Sequence, residues 1–292
     1  MELVEQPIHP APVRLHVVTY NVFQARYLHE SRPHDAPPAA LDPDAPPASL
    51  PQRGGRRAQG RSILRDFATL PSLHTADVIL LQEALEGTAR GVTGLDTVGT
   101  LARSLGVDPA PSRLPYGASH TCFLGSVDRG HQRWGLGVVS RIPARFTPVP
   151  LPNAWWSPWP RSALVAEIGP WILVTLHLEV WPVGAGARRR QMQRVIDALL
   201  GISGNSTRPV VVAGDFNCQT GGPHQVLRRN GFEAVEIASP TWSLGPLALR
   251  LDHVYVRNAG VVASGVERQA RGSDHRPLWV DVERPLHPGR RS

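Results

Sequence analysis

Acidic, amide and imidazole side chains follow apolar segments at several points of the chain, and these side chains can hold a metal ion or move a proton. The clearest case lies in residues 209–217, where an apolar run ends at Gly214 and is followed by Asp215 and Asn217. A carboxylate accepts a proton, and an amide both donates and accepts hydrogen bonds. This pair suits the binding and hydrolysis of a phosphate, although Asp and Asn are also common turn residues.

Residues of the same kinds lie at or near the ends of other apolar runs. The members of this set are Asn21, Glu83, His177, Asp252, Asp274 and His275. One such residue is ordinary, and a lone His among apolar neighbours, such as His177, is more often hydrogen-bonded structure than a catalyst. Strand ends on one edge of a sheet converge in space, however. We therefore interpret the set, together with Asp215 and Asn217, as one polar site.

Short apolar segments predict the strands that position these groups, and a final alternating segment predicts a half-buried strand. The predicted strands are residues 15–22, 76–81, 135–140, 171–178, 210–213, 250–256 and 278–283. The strand at 135–140 is expected to end at Arg141, because Pro143 breaks the pattern. Amphipathic spacing predicts helices over 61–70 and 188–200. The three arginines that begin the second helix are expected on a solvated face, with Arg190 as a candidate contact for a substrate phosphate.

Composition bounds the class of protein. The 292 residues and 41% hydrophobic content fit one large α/β domain. The formal net charge of +7 comes from arginine alone, because the sequence has no lysine, and it supports a nucleic-acid partner only weakly. Two cysteines do not form a disulfide framework. The sequence shows no signal peptide and no membrane span, so we expect a cytoplasmic protein.

Two segments are unusual in composition. Residues 31–60 are rich in Pro, Ala and Arg without periodicity, which predicts an insertion loop. Trp155, Trp156 and Trp159 lie within five positions beside prolines. They are candidate substrate contacts, either as a platform for stacking bases or as a wedge at a membrane interface. A hydrophobic plug under a loop is an equally weighted alternative.

Seven short stretches in this order resemble the motifs of the endonuclease/exonuclease/phosphatase superfamily, also called deoxyribonuclease I-like proteins. They are residues 19–21, 81–83, 135–141, 175–178, 214–217, 251–253 and 273–275. The resemblance covers nearly the whole chain. It implies an α/β fold that is a four-layer sandwich, with two mixed β-sheets packed face to face and helices on the outer faces. It also implies a single domain over residues 1–292, with the insertion at 31–60 and a short basic tail after 285.

The resemblance further implies phosphoester hydrolysis with Mg²⁺ or Mn²⁺. By position in the motifs, Glu83 is the expected main metal ligand, with Asn21 and Asp274 as further ligands or close supports. Carboxylate and amide oxygens suit such a hard cation. These assignments are carried over from the family's motifs.

The remaining motif residues are expected to be catalytic. Asp252 would pair with His275 and fix its tautomer, and Asp215 would orient the nucleophile. Asn217 and His177 would donate hydrogen bonds to the phosphoryl oxygens. In deoxyribonuclease-type and sphingomyelinase-type members an upstream Glu supports the residue at His177, but residues 107–134 contain no Glu.

Three functions remain open at this stage. The first is a nuclease or phosphodiesterase acting on nucleic acid or a related phosphodiester. The second is a sphingomyelinase-like lipid phosphoesterase, or one acting on inositol phosphates or other small molecules. The third, an inactive binding module, is disfavoured because the expected acids, amides and histidines are present apart from the supporting Glu. We expect a monomer.

Overall fold

The structure, a computed structural model, describes most of the chain outside its first residues and the Pro-rich segment. The described residues are 12–22, 63, 65–86, 96–109, 118–127, 133–155, 157, 160–180, 184–203, 207–244 and 246–285. The predicted insertion at 31–60 and the predicted tail after 285 lie outside these residues, and so do Trp156 and Trp159.

The described residues form thirteen strands and five helices. The strands are β1 (Arg14–Asn21), β2 (Val78–Glu86), β3 (Ser119–Val127), β4 (Arg133–Pro150), β5 (Ser162–Ile168), β6 (Trp171–His177), β7 (Val210–Asp215), β8 (Glu233–Ala234), β9 (Trp242–Leu244), β10 (Leu247–Leu249), β11 (Asp252–Arg257), β12 (Gly260–Val266) and β13 (Leu278–Glu283). The helices are α1 (65–69), α2 (Pro71–Thr75), α3 (Thr97–Ser104), α4 (Ala185–Ser203) and α5 (Gly222–Arg229).

Eleven strands form one curled sheet in the order β12-β13-β1-β2-β4-β5-β6-β7-β11-β8, with β3 paired to β4 beside this path. The pairs β1–β2 and β6–β7 are parallel, and the other pairs in the sheet are antiparallel. Strands β9 and β10 form a separate small hairpin. The large sheet thus consists of two halves, one built around β1 and β2 and the other around β6 and β7, and the long strand β4 belongs to both.

Three apolar clusters show how the layers stack. The central cluster combines residues of both halves, such as Leu80 from β2 and Leu173 from β6, so the two halves pack face to face. A second cluster packs α4 and α5 on the outer face of the β6–β7 half. A third packs α1, α2 and α3 on the outer face of the β1–β2 half. The predicted layered α/β class is therefore confirmed, and the two predicted sheets are joined through β4.

The prediction that the strand at 135–140 ends at Arg141 is wrong, because β4 continues through Pro143 to Pro150. Pro143 lies where the pairing of β4 changes from one half to the other: Ser140 pairs with β2, whereas Arg145 pairs with β5. A residue at this changeover does not need to donate a backbone N–H to a neighbouring strand. Because proline has no backbone N–H to donate, it is tolerated there.

Arg188 corrects a second expectation, that the first turn of α4 is solvated throughout. Its side chain is buried and its Nη1 donates to the backbone oxygen of Glu179 over 2.9 Å, whereas Arg189 and Arg190 are exposed.

Among the described residues, no helix is long and apolar enough to cross a membrane.

Candidate active site

Three neighbouring strands bring His177, Asp215 and Asp252 into one row. His177 at the end of β6 is the register partner of Asp215 at the end of β7, and Asp215 is the partner of Asp252 at the start of β11. Directly opposite residues share a face of the sheet. The sequence places these groups together because each apolar run begins or ends with a polar residue at the same edge of the sheet.

Asp215 lies at the centre of the site and is buried. Its Oδ1 accepts the backbone N–H of Asn217 over 2.8 Å, and its Oδ2 accepts Nδ2 of Asn21 over 3.0 Å. The same Oδ2 lies 3.6 Å from Nε2 of His177 and 3.8 Å from Nε2 of His275. One carboxylate oxygen therefore faces an amide and two imidazoles.

The turn after β7 depends on unusual backbone conformations at Gly214 and Asn217. Gly214 has φ +140°, and a Cβ there would lie 2.1 Å from the backbone oxygen of Leu176. Asn217 has φ +52°, a left-handed conformation that Asn tolerates better than most residues. Its Nδ2 donates to the backbone oxygen of Leu178 over 3.0 Å, which ties this turn to the end of β6. One of the two Nδ2 hydrogens is thereby used.

Glu83 enters the site from a β-bulge in β2. Leu81 pairs with Gly137 and Ala84 pairs with Gly135, so two residues of β2 face one residue of β4. Glu83 has φ +53°, in the left-handed region that non-glycine residues rarely adopt. A bulge redirects a side chain, and Oε1 of Glu83 lies 3.9 Å from Nε2 of His177.

Gln82, the other residue of the bulge, links the two halves of the sheet. Its Nε2 donates to Oγ1 of Thr19 on β1 over 3.0 Å and to Oγ1 of Thr175 on β6 over 2.8 Å. All three side chains are buried. The sequence signals this contact only by a polar residue in each of three apolar strands, and it does not indicate that the three side chains meet.

His275 is held by Asp252. Its Nδ1 lies 2.7 Å from Oδ2 of Asp252, so Nδ1–H donates to the carboxylate and Nε2 faces Asp215. Thr241 fixes the start of β11, because its Oγ1 accepts the backbone N–H of both Leu251 and Asp252. Thr241 is a supporting residue that the sequence analysis did not identify.

Asp274 is positioned by the β9–β10 hairpin. Its Oδ2 accepts the indole N–H of Trp242 over 2.9 Å, and Trp242 forms a β-bridge with His275. Ser273 donates to the backbone oxygen of Asn21 over 2.7 Å, which joins this loop to the end of β1. Trp242 and Ser273 are further supports without an assigned role in the sequence analysis.

Burial and neighbouring charges shift the pKa values at this site in opposite directions. Burial raises the pKa of Asp215, and the charges of Asp252 and Glu83 act in the same direction. Burial alone lowers the pKa of His275, but the charge and hydrogen bond of Asp252 outweigh it and raise that pKa. Burial and the charge of Arg161 lower the pKa of His177 well below its usual value. The carboxyl of Asp215, with a pKa of about 7, therefore lies beside a cationic imidazole at His275 and a neutral imidazole at His177.

The acids of the site fit a hard divalent cation. Burial raises the pKa of Glu83 and the charge of Asp274 raises it further, which indicates that these two carboxylates lie near each other. Glu83 also shares a hydrogen bond with Asn21, and carboxylate and amide oxygens are the donors that Mg²⁺ and Mn²⁺ prefer. Asp215, Asp252 and His275 also offer atoms within 4.8 Å of one another, but the close Asp252–His275 hydrogen bond already uses two of them.

Two predicted substrate contacts lie at the surface. Arg190 is exposed on α4, and Trp155 is 95% exposed. No described contact connects either of them with Asp215. Their roles, like those of Trp156 and Trp159, stay predictions.

A histidine pair supports the chain just after Asn217. The backbone oxygen of Cys218 accepts Nε2–H of His253 over 2.9 Å and Nε2–H of His224 over 3.4 Å. Nδ1 of His224 then accepts the Tyr255 hydroxyl over 2.8 Å. Burial lowers the pKa of His224 to about 4 and that of His253 to about 3. Both hydrogen bonds to Cys218 persist while the rings are neutral.

The fold and the site define a layered α/β protein with an acid–imidazole centre at one edge of its strands. A model of the Endonuclease/Exonuclease/phosphatase family matches residues 18–275. The chain belongs to this family, whose members hydrolyse phosphoester bonds and generally depend on a divalent metal. None of the curated proteins compared with the chain matches it.

Solved structures share the fold at low sequence identity. An endonuclease/exonuclease/phosphatase from Beutenbergia cavernae is 22% identical, with a TM-score of 0.62 over 93% of this chain and 72% of that one. The human Nocturnin catalytic domain with bound sulfate is 16% identical, with a TM-score of 0.59 over 92% and 93%. The mannosyl-6-phosphatase Bt3783 of Bacteroides thetaiotaomicron is 15% identical, with a TM-score of 0.59 over 92% and 99%. This similarity establishes the fold.

Replacing Gly214 by Ala should destabilise the protein by at least about 2 kcal/mol, because the Cβ clashes with backbone and the conformation is strained. The matched change Gly201→Ala adds a Cβ with nothing within 4 Å, on helix α4, and should be neutral or stabilising. Urea denaturation of both variants measures the difference. Equal stability of the two would contradict the close approach to Leu176.

Acid should destabilise the turn that carries Asn217. Unfolded histidines bind protons near pH 6.5, whereas folded His224 and His253 stay neutral down to about pH 4 and pH 3. The free energy of unfolding should therefore fall as the pH drops below about 6.5. Urea denaturation between neutral pH and pH 4 should show a shallower fall for His253→Gln than for the wild type. The exposed His74→Gln is the control; a slope that His253→Gln leaves unchanged would refute this assignment.

Proposed function

We propose that this protein is a divalent-metal-dependent phosphodiesterase that acts on nucleic acid or a related phosphodiester. The observation that carries the proposal is the environment of Asp215 Oδ2, which accepts a hydrogen bond from Asn21 and faces Nε2 of His177 and of His275 within 4 Å. A carboxylate with a raised pKa beside a cationic imidazole can accept a proton from water while the imidazole stabilises negative charge.

Each residue of the centre has a role that follows from its contacts. Asp215 orients the attacking water and takes its proton. Asp252 holds Nδ1–H of His275, so Nε2–H is directed at a phosphoryl oxygen. Nε2 of His177 and the remaining Nδ2 hydrogen of Asn217 are the further donors in our assignment.

The cation belongs to the acidic side of the centre. Glu83, Asn21 and Asp274 would hold Mg²⁺ or Mn²⁺, because they offer hard oxygen atoms and the two carboxylates lie near each other. When bound, the ion would neutralise charge on the phosphate and the leaving oxygen. Trp242 occupies Oδ2 of Asp274, whereas Oδ1 has a long 3.4 Å contact with the Ser273 hydroxyl and keeps a lone pair for a cation.

A lipid phosphoesterase is the second candidate, favoured by the exposure of Trp155. A fully exposed indole is unusual in a protein surface and is typical of contacts with a membrane interface. Vesicles of sphingomyelin with phosphatidylserine, assayed beside DNA and RNA oligonucleotides, separate the two candidates. Cleavage of the lipid, reduced in Trp155→Ala, would favour the second.

We expect hydrolysis of bis-p-nitrophenyl phosphate with Mg²⁺ or Mn²⁺, faster than hydrolysis of p-nitrophenyl phosphate, and none with a chelator. Asp215→Asn keeps the shape of the side chain but removes the proton acceptor, so it should abolish release of p-nitrophenol. Where both synthetic esters are inert, oligonucleotides are the next substrates, since remote contacts can be needed for turnover. Cleavage that survives both the chelator and Asp215→Asn would contradict the proposal.

His275→Ala should lower kcat by about 10²–10⁴-fold, the usual contribution of a positioned acid–base group. The exposed His74→Ala is the matched control and should retain full activity. Both rates are measured on the ester that the wild type prefers. A loss below about tenfold in His275→Ala, or about 1.4 kcal/mol of barrier, would move the charge-stabilising role to another residue.

A further inference from the structure

A cavity of about 240 Å³ adjoins the centre beside His177. Its walls include Arg161, Ser162 and Trp134, together with residues of β3 and β4. Of the residues assigned to the centre, His177 is the one that lines it. The cavity therefore adjoins the centre at His177, whose Nε2 lies 3.6 Å from Oδ2 of Asp215.

A buried cation, Arg161, lies in the wall of this cavity, in contrast to the acidic centre. Arg161 is only 7% exposed, and its Nη2 lies 3.5 Å from Oε1 of Glu179. Arg188 binds the backbone oxygen of the same residue. Two buried guanidinium groups thus contact Glu179, Arg161 at its carboxylate and Arg188 at its backbone.

Hydrogen bonding in this cluster is incomplete. Within the described part of the chain, Nε of Arg161, Oε2 of Glu179 and Nε of Arg188 are buried and have no partner. An unpaired buried donor is costly, and a guanidinium has donors arranged for two parallel bonds to an oxyanion. The 3.5 Å between Nη2 of Arg161 and Oε1 of Glu179 is longer than a charge-assisted hydrogen bond of about 2.7–2.9 Å, so Glu179 satisfies this guanidinium incompletely.

We propose that this cavity binds a second phosphate, carried by the part of the substrate that does not react, and that Arg161 is the residue that binds it. The inference rests on the proposed function, because it assumes that the reacting phosphate lies at Asp215. It narrows the substrate class to compact phosphodiesters that carry a second phosphate close to the one that is cleaved, such as a nucleoside with a 5′-phosphodiester and a 3′-phosphate. The cavity is smaller than the roughly 300–1,000 Å³ of sites for larger ligands, which fits one phosphate with part of a sugar.

The test compares two diesters that differ in one phosphate: thymidine 5′-(p-nitrophenyl phosphate) and the same compound with a 3′-phosphate. We expect the wild type to favour the 3′-phosphorylated diester by about tenfold or more in kcat/KM, the effect of one charge-assisted contact. Arg161→Gln should remove this preference, and Arg161→Lys should retain part of it. The exposed Arg189→Gln, a matched change on α4, should keep it in full.

Stability is measured in parallel, because Arg161→Gln leaves Glu179 buried without a partner. The double variant Arg161→Gln/Glu179→Gln removes both charges and should fold while still lacking the preference. If the preference for the 3′-phosphorylated diester survives in this double variant, the ion pair is purely structural. The same conclusion follows if Arg161→Gln keeps the preference and only lowers the melting temperature. An equal loss on both diesters would place Arg161 on the reacting phosphate and overturn the proposal.

Binding separates this inference from the proposed function. Calorimetry with thymidine 3′,5′-bisphosphate and thymidine 5′-monophosphate should show tighter binding of the bisphosphate, and Arg161→Gln should abolish the difference. This result in an enzyme that cleaves neither diester would reject the proposed function and keep the anion site. Equal affinity of the wild type for the two nucleotides would overturn the anion site, whatever the activity.

Discussion

The buried carboxylate of Asp215 is the group on which the rest of the site depends. Burying a charge without partners is costly, so its two oxygens must be met by donors, here the backbone of Asn217 and the amide of Asn21. These donors are in place because the chain turns at Asn217, just after β7, and because β1 ends at Asn21 beside it. The Asp215 carboxylate thus requires β7 and β1, which belong to different halves of the sheet, to end close together.

The two halves of the sheet must stay in register for this to work, and a buried polar contact helps to hold them. Gln82 reaches Thr19 in its own half and Thr175 in the other half across the apolar core. Polar groups in a core are tolerated when they are paired, and their directional bonds then favour one alignment over others. Because Glu83 is the next residue, the same bulge that sends Gln82 into the core sends Glu83 toward the centre.

Much of the fold and of the candidate site could be predicted from the sequence, because apolar runs that end in polar residues mark strand ends directly. Asn21, His177, Asp215 and Asp252 were placed at strand ends in this way. Three features could not be predicted, since each depends on partners distant in sequence. β2 continues past Leu81 because a bulge keeps Glu83 in the strand, β4 crosses Pro143 because the pairing changes there, and Arg188 is buried because Glu179 lies beneath it.

The arginine-rich composition carries less information about substrate than the site does. Some arginines bind backbone oxygens of their own chain: Arg141 binds those of Ala76, Leu105 and His74, and Arg208 binds those of Pro170 and Gly169. These two guanidinium groups therefore contribute to the fold itself. Arg161 differs, because it lines a cavity beside His177 and has an unpaired buried Nε. A single positive group next to an acidic centre suits one phosphate close to the reacting one, whereas an extended nucleic-acid backbone carries many phosphates. This local contrast in charge is a stronger guide to the substrate than the net charge of +7.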